Sequence, residues 1–550
     1  VTAAPTCPPM TIVAPERQSF AAMGLRSSAP QERGGTGAPA GGLNSGSRQP
    51  CPWADQPAPI LRGVTTIAHD LTSFRPDDLL AARVERDLPW VQVAPGAPYF
   101  VTEDGAPWTP VGQNDAITWP ELEGLFRRRD LEGVERHIAW LRDHGVTVLR
   151  LMLEYAHGEN RYLETPVGRF APNMVRLWDD LFAICARQGM RLLLTPFDTF
   201  WMWLRWKRHP YNRANGGPCK GRSRILLCPD TMTAIKARMS FVVERWGGSG
   251  VVFAWDLWNE MHPAQMGDSA EGFARVVTEL SEHVRALETR LYGRTHPQTV
   301  SLFGPILYSH PEVADTIFRH SLLDFASTHL YAAGTIDHPR DTVAPALATA
   351  DLVREAVNHA PPDRPYLDSE HGPIHFFKDK KKVLPEDFDD EYFRHIQWAH
   401  LASGGAGGGM RWPNRRPHTL TPGMRRAQAA LAGFLPLIDW TTFRRANRSP
   451  DLRVSAPGVR AMGCADDRQA VAWLLRTDRL DRRGRVVMDV PPIPLRLKIP
   501  GLRDGAYEAV AWNTREGRPE GTTLATSRDG ALVLNGLQVA TDLALAIRTV

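Results

Sequence analysis

Val251-Val252-Phe253-Ala254-Trp255-Asp256-Leu257-Trp258 is the stretch on which the fold turns. Eight residues broken by a single Asp leave no polar face, so the run reads as a strand buried on both sides, as a parallel sheet requires. Just upstream the period changes to that of a helix: Ile235, Met239, Val242 and Trp246 share one face, Asp230 stands at the N-cap and Gly247 stops the turn. Further out the same alternation repeats. Apolar runs at 147–153, 191–197, 299–303, 323–330, 365–369 and 406–412, with 109–113 as the first, bring the strand count to eight. Between the first two, Asp130 caps a helix whose Leu131, Val134, Ile138 and Leu141 align, and Gly145 ends it. Eight β/α alternations predict an α/β fold of the (β/α)8 TIM-barrel kind. An open doubly wound sheet would want a Gly-rich phosphate turn after its first strand, and Val111-Gly112-Gln113-Asn114 is not one.

Either side of the barrel the character differs. Residues 1–60 are rich in Pro, Gly, Ala and Ser and read as a disordered tail, followed by a lead-in segment at 61–97. The barrel is expected over 98–445, opening with a hairpin in which Tyr99-Phe100-Val101 turns through Glu103-Asp104-Gly105 to Trp108. Beyond it the helical period is lost. Short strands at 469–475, 495–499, 507–512, 531–534 and 543–547, with turns such as Asp504-Gly505 and Asp529-Gly530, predict a small all-β sandwich over 446–550.

Composition narrows the function classes. The 550 residues are 43% hydrophobic and 23% charged, enough to bury a large core, and 65 basic against 61 acidic residues leave a net +4 with no footprint for nucleic acid. Arg127–Arg129 and Lys380–Lys382 read as solvated faces. No apolar run is long enough to span a bilayer. The opening Val1-Thr2 shows no charged segment ahead of an apolar one, so the compartment stays open. Six Cys form no C-x-x-C; Cys7 with Cys51 and Cys219 with Cys228 could close loops in an oxidising compartment, or all could be free thiols.

In a parallel barrel the reactive side chains stand at the C-terminal strand ends. The fourth strand ends Trp258-Asn259-Glu260 and the seventh Asp368-Ser369-Glu370. Two carboxyls facing each other across one barrel mouth suit glycosidic cleavage, one protonating the leaving oxygen and the other attacking the anomeric carbon. Either alone would read as a capping or ion-paired group; together they favour chemistry.

The run Trp255-Asp256-Leu257-Trp258-Asn259-Glu260 resembles the acid/base motif of clan A glycoside hydrolases, family 5 cellulases and mannanases above all. Glu370 is similar to the nucleophile of that clan, and Asp104-Gly105-Ala106-Pro107 with Gly112-Gln113-Asn114 to the start of its barrels. The resemblance covers about residues 98–435, and Tyr507–Thr514 with Gly517 resembles the sandwich appended to several such barrels. It implies that Arg150 steadies Glu370 and keeps it ionised, and that Tyr331, in His329-Leu330-Tyr331, donates to the nucleophile. It also implies that Asn259 bonds the sugar 2-hydroxyl and that Trp412 stacks on the sugar. Structural readings remain beside these: a barrel ion pair for Arg150, a core His329 and a packed Tyr331. The third strand departs from the family, running Phe197-Asp198-Thr199-Phe200-Trp201 where a His is usual; Asp198 and Trp201 are taken as substrate-binding candidates. Met261 and His262 separate Glu260 from Pro263, where relatives place Pro directly. Trp201, Trp203 and Trp206 could line sugar subsites or form a local core.

The implied activity is a retaining β-glycoside hydrolase acting on a β-linked oligo- or polysaccharide, with no cofactor, no metal, no nucleic acid or membrane partner, and the chain a monomer. That substrate class points to a secreted or periplasmic setting. A metal-dependent barrel hydrolase would want His-x-His near the first strand, and His371 and His375 come too late. A non-catalytic carbohydrate-binding barrel is the other reading, which the pairing of Glu260 with Glu370 disfavours.

Overall fold

The alternating segments close into a ring. A computed structural model describes residues 87–154, 162–197, 199–223, 225–267, 269–374, 383–413 and 418–550, and of Trp201 and Met266 the backbone only. The tail 1–60, the lead-in as far as residue 86, the Cys7/Cys51 pair, Asp198, His375 and Lys380–Lys382 lie outside the described residues.

The barrel strands are β1 (Gly112–Asn114), β2 (Val148–Met152), β3 (Arg191–Thr195), β4 (Val252–Asp256), β5 (Ser301–Phe303), β6 (Ala326–Leu330), β7 (Tyr366–His371) and β8 (Met410–Arg411). All are parallel, and β1 pairs with both β2 and β8. The ring closes at the fifth position, where the short strand Gln298–Thr299 pairs β4 and, one residue on, β5 pairs β6. The long helices that follow the strands are α1 (Leu131–Asp143), α2 (Pro172–Gln188), α3 (Pro229–Trp246), α4 (Ala270–Tyr292), α5 (Pro311–Phe318), α6 (Val343–His359), α7 (Glu386–Ala402) and α8 (Pro422–Phe434).

Local chemistry sets their ends. The Asp130 carboxylate accepts from Gly133 N at 2.8 Å and caps α1 as expected. At α3 the expectation fails by two residues: Cys228 is the N-cap and Asp230 lies in the first turn. Pro229 is the reason, because its fixed φ and missing N–H suit the first helical position and start the helix early.

The N-terminal end of the barrel is closed by a three-stranded antiparallel sheet, Val91–Val93, Phe100–Thr102 and Pro107–Trp108. Its Phe100 meets Phe253 and Phe325 edge-on at 5.0 and 5.5 Å, and Trp108 meets Phe253 at 4.6 Å. Those partners stand at the starts of β4 and β6, so aromatic rings pack against that end of the barrel.

The C-terminal region is all β. A six-stranded antiparallel sheet faces a three-stranded one over a core that includes Leu474, Leu497, Tyr507, Leu532 and Leu545. The outer face of the larger sheet continues into the barrel: Trp473 and Trp512 share one apolar cluster with Trp398 and Phe434 of α7 and α8. Polar ties flank that seam, with Trp512 Nε1 donating to Ala430 O at 3.1 Å and Arg394 paired to Asp542 at 3.2 Å. Cys219 and Cys228 are free thiols rather than a bridge; the Cys219 thiol donates to Gly221 O at 2.9 Å instead.

Candidate active site

Arg150 organises the open mouth. It rises from β2 with its side chain fully buried, a position tolerable for a cation only among acceptors and counter-charges. Its Nη1 donates to Asn114 Oδ1 at 2.8 Å and to Glu370 Oε2 at 3.0 Å. Its Nη2 donates to Asp256 Oδ2 at 3.0 Å and to Asn259 Oδ1 at 2.5 Å. Four strand ends, those of β1, β2, β4 and β7, are thereby fixed to one planar fork.

Glu370 is held from two sides, since Tyr331 Oη donates to its Oε1 at 2.6 Å while Arg150 holds Oε2. Burial nevertheless raises its pKa above the ordinary carboxylate value, outweighing the nearby positive charge and the Tyr331 hydrogen bond. The Arg150 cation favours the ionised form and desolvation opposes it.

Glu260 has a different environment. It follows β4 in the left-handed region at φ 50°, its backbone N–H donating to Ser301 Oγ at 3.1 Å. No described cation is hydrogen-bonded to its carboxyl, and burial pushes its pKa up to about 7, only partly opposed by the more distant Arg150. The carboxyl shares a hydrogen with His329 Nδ1 at 2.8 Å. Burial lowers the His329 pKa to about 4, so the ring is neutral at working pH. One carboxylate oxygen of Glu260, one of Glu370 and a ring nitrogen of His329 lie within 4.8 Å of one another. Among the described residues this is also the group spaced to hold a metal ion, but Glu370 already has the Arg150 cation at 3.0 Å and His329 Nδ1 is engaged by Glu260.

Asn259 is buried, its Nδ2 donating to Thr199 Oγ1 at 3.0 Å, which leaves one amide hydrogen. Trp412 follows β8 and meets Trp119 edge-on at 5.1 Å. Asp198 is outside the described residues and the Trp201 side chain is not described. Trp203 carries Arg222 over its ring at 4.8 Å and Trp206 stacks on His209 at 6.0 Å, so both are engaged locally.

The sequence reading did not single out Asp256 and Asn114 as partners of Arg150. Asp256 accepts from Arg150, from Ser301 N and Oγ at 2.9 Å each, and from Thr195 Oγ1 at 3.2 Å. Asn114 also donates to Ser369 O at 2.9 Å, tying β1 to β7. For Asp256, a lone polar residue inside an apolar strand was the only signal. Asp368, whose carboxyl burial pushes up to about 8, was likewise passed over.

No protein-family model and no curated protein matches the sequence. Among solved structures, one described as a glycoside hydrolase superposes with a TM-score of 0.51 at 12% identity, covering 84% of this chain and 97% of its own. A family 5 glycoside hydrolase from Bacteroides vulgatus ATCC 8482 superposes with a TM-score of 0.52 at 11% identity, covering 84% and 94%. Likeness at such low identity is one of architecture, and the architecture this chain shares with those two hydrolases is a TIM barrel followed by β-structure.

Proposed function

We propose that the chain is a retaining β-glycoside hydrolase cleaving β-linked glycosides or polysaccharides of the mannan or glucan type, with Glu260 as acid/base and Glu370 as nucleophile. The observation that carries this reading is a pair of carboxylates with oxygens within 4.8 Å, set in unlike surroundings. Retaining enzymes hold their two carboxyl groups roughly 5–5.5 Å apart, while inverting ones need roughly 6.5–9.5 Å to admit a water. The fold shared with two glycoside hydrolases supports the same reaction class.

Each group matches its step. Glu370, aimed by Arg150 and Tyr331, attacks the anomeric carbon as the glycosidic C–O bond breaks and Glu260 passes its proton to the departing oxygen. The sugar is then esterified to Glu370. Water next adds to the anomeric carbon, gives its proton to the Glu260 carboxylate, and Glu370 departs. A pKa near neutrality lets Glu260 serve as acid and then base. The remaining amide hydrogen of Asn259 supplies a donor for the 2-hydroxyl, an interaction that strengthens in an oxocarbenium-like transition state. Trp412 offers the stacking face.

The test is hydrolysis of aryl β-mannosides, aryl β-glucosides, soluble mannans and glucans, with NMR of the first-formed product. Release of the β-anomer is expected. First release of the α-anomer would overturn the roles, and binding without hydrolysis would favour a carbohydrate-binding protein on the same scaffold.

A further inference from the structure

The ladder between β6 and β7 breaks register where the site begins. Thr328 pairs with Asp368, but the next pair is His329 with Glu370, so Ser369 is an extra residue on β7. Side chains alternate along a strand, and an unbroken β7 would send Asp368 and Glu370 to the same face. Contacts before the break identify that face. Tyr366 Oη bonds Thr328 Oγ1 at 2.5 Å, and the Tyr366 ring lies 5.7 Å from that of His400 of α7, on the helix side. Ser327 and Ser369 meet at 2.7 Å on the other. Without the extra residue Glu370 would point into the helix layer. With it, Glu370 joins His329 on the inner face and Asp368 stays behind.

An extra residue leaves backbone groups without ladder partners, and buried N–H groups must be satisfied by something else. One carboxyl oxygen, Asp368 Oδ1, accepts from Leu330 N at 3.1 Å and from Glu370 N at 3.3 Å. Oδ2 meets His371 Nδ1 at 2.7 Å, and the Asp368 N–H donates to His400 Nε2 at 3.0 Å. His400 in turn is oriented by Gly407 O at 2.8 Å. At Gly409 a Cβ would lie 3.0 Å from Asp368 Oδ2, so the backbone just ahead of β8 closes the same pocket. The side chains of Asp368, His371 and His400 are fully buried.

We propose that Asp368 is a positioning residue, whose carboxyl oxygen Oδ1 closes the β7 bulge at Ser369 and so turns Glu370 toward Arg150 and Tyr331. The proposal rests on Glu370 being the nucleophile only for its kinetic consequence; the geometric one stands without it.

The experiment compares Asp368→Ala, which removes both acceptors, with Asp368→Asn, whose carbonyl can still take the Leu330 and Glu370 amides. In the Ala variant kcat on an aryl β-glycoside should fall about 100-fold, as expected when a reacting atom is misplaced by about 1 Å, with KM within about twofold. The Asn variant should return to within about fivefold of wild type, since it restores the amide acceptor. Crystal structures should show Glu370 leaving hydrogen-bond distance of Arg150 and Tyr331 in the Ala variant and keeping it in the Asn variant. A folded Asn variant as impaired as Ala would overturn the proposal, and so would an Ala variant with Glu370 still on both partners. If the Ala variant fails to fold, Asp368→Val, β-branched and suited to a strand, takes its place, and the Asn comparison decides by itself. An inactive wild type would refute the hydrolase reading, while the position of Glu370 in the variants would still judge the role of Asp368.

Discussion

The sharpest consequence of the site geometry is a pH profile that depends on the leaving group. Glu260 must carry its proton to act as acid, and its buried carboxyl titrates at about 7. On a natural β-glycoside, or one with a poor aliphatic leaving group, kcat/KM should hold a plateau below neutrality. It should then fall to about one tenth at pH 8 and about one hundredth at pH 9, following the protonated fraction of the free enzyme. A dinitrophenolate needs no protonation to depart. With a dinitrophenyl β-glycoside the same limb should therefore flatten, because kcat/KM reports steps only through glycosyl-enzyme formation. Both substrates should lose activity alike on the acid side, where Glu370, raised by burial, takes up a proton and ceases to be a nucleophile. The assay is initial-rate kinetics on the two substrates across one buffer series at constant ionic strength. An identical basic limb on both substrates, or a plateau reaching pH 9 with the poor leaving group, would refute the assignment of the acid.

Other outcomes follow from the same structure. Glu260→Ala should nearly abolish turnover of natural glycosides while keeping much of the first step on an activated aryl glycoside, with azide restoring product release; Glu370→Ala should lose both, and steady-state rates with and without azide check this. Glu260→Gln should stabilise the fold at pH 8. The raised native pKa means the unfolded chain holds its proton less tightly, so wild-type stability is full below about 4.5 and declines until about pH 7. The difference should approach about 3 kcal/mol above that point and vanish at about pH 4, read as the gap in thermal midpoints between variant and wild type. Ending the chain at residue 445 should expose the Trp398 and Phe434 surface that Trp473 and Trp512 cover, giving an insoluble or less stable product by gel filtration and thermal melting. Trp412→Ala should raise KM by about tenfold with a smaller change in kcat, measured on an oligosaccharide.

The barrel was legible because several of its buried strands are largely apolar while its helices are amphipathic, so the period switches visibly at those boundaries. Val252–Asp256 and Pro229–Trp246 are the clearest pair. The sandwich strand Arg518–Ser527 was missed because most of its residues are exposed on both faces, leaving no alternation to read. The N-terminal strand Val91–Val93 has only three residues. At the site, the acidic and aromatic side chains could be picked from strand ends, and Arg150, His329 and Tyr331 from a family resemblance, but Asp256 and the register of β7 could not. Asp256 gains its meaning from Arg150 and Ser301, which are remote in sequence, and the extra residue at Ser369 exists only relative to β6. Register is a property of two strands, and one strand's residues do not encode it alone.

The backbone at Glu260 has a meaning beyond geometry. A φ of 50° is a conformation in which glycine or asparagine rests easily and glutamate does not. The same residue also buries a carboxyl whose ionisation the surroundings oppose. Two independent penalties thus fall on one position, and Gly would relieve both at once. Drift acting on stability alone would therefore run one way, toward a smaller, neutral residue. A barrel that had abandoned chemistry would be expected to lose its acid here before it lost Arg150, whose removal would strand Asp256 among buried neighbours. In a comparison of natural variants, position 260 is accordingly the more sensitive indicator of which copies still work, and position 150 the poorer one.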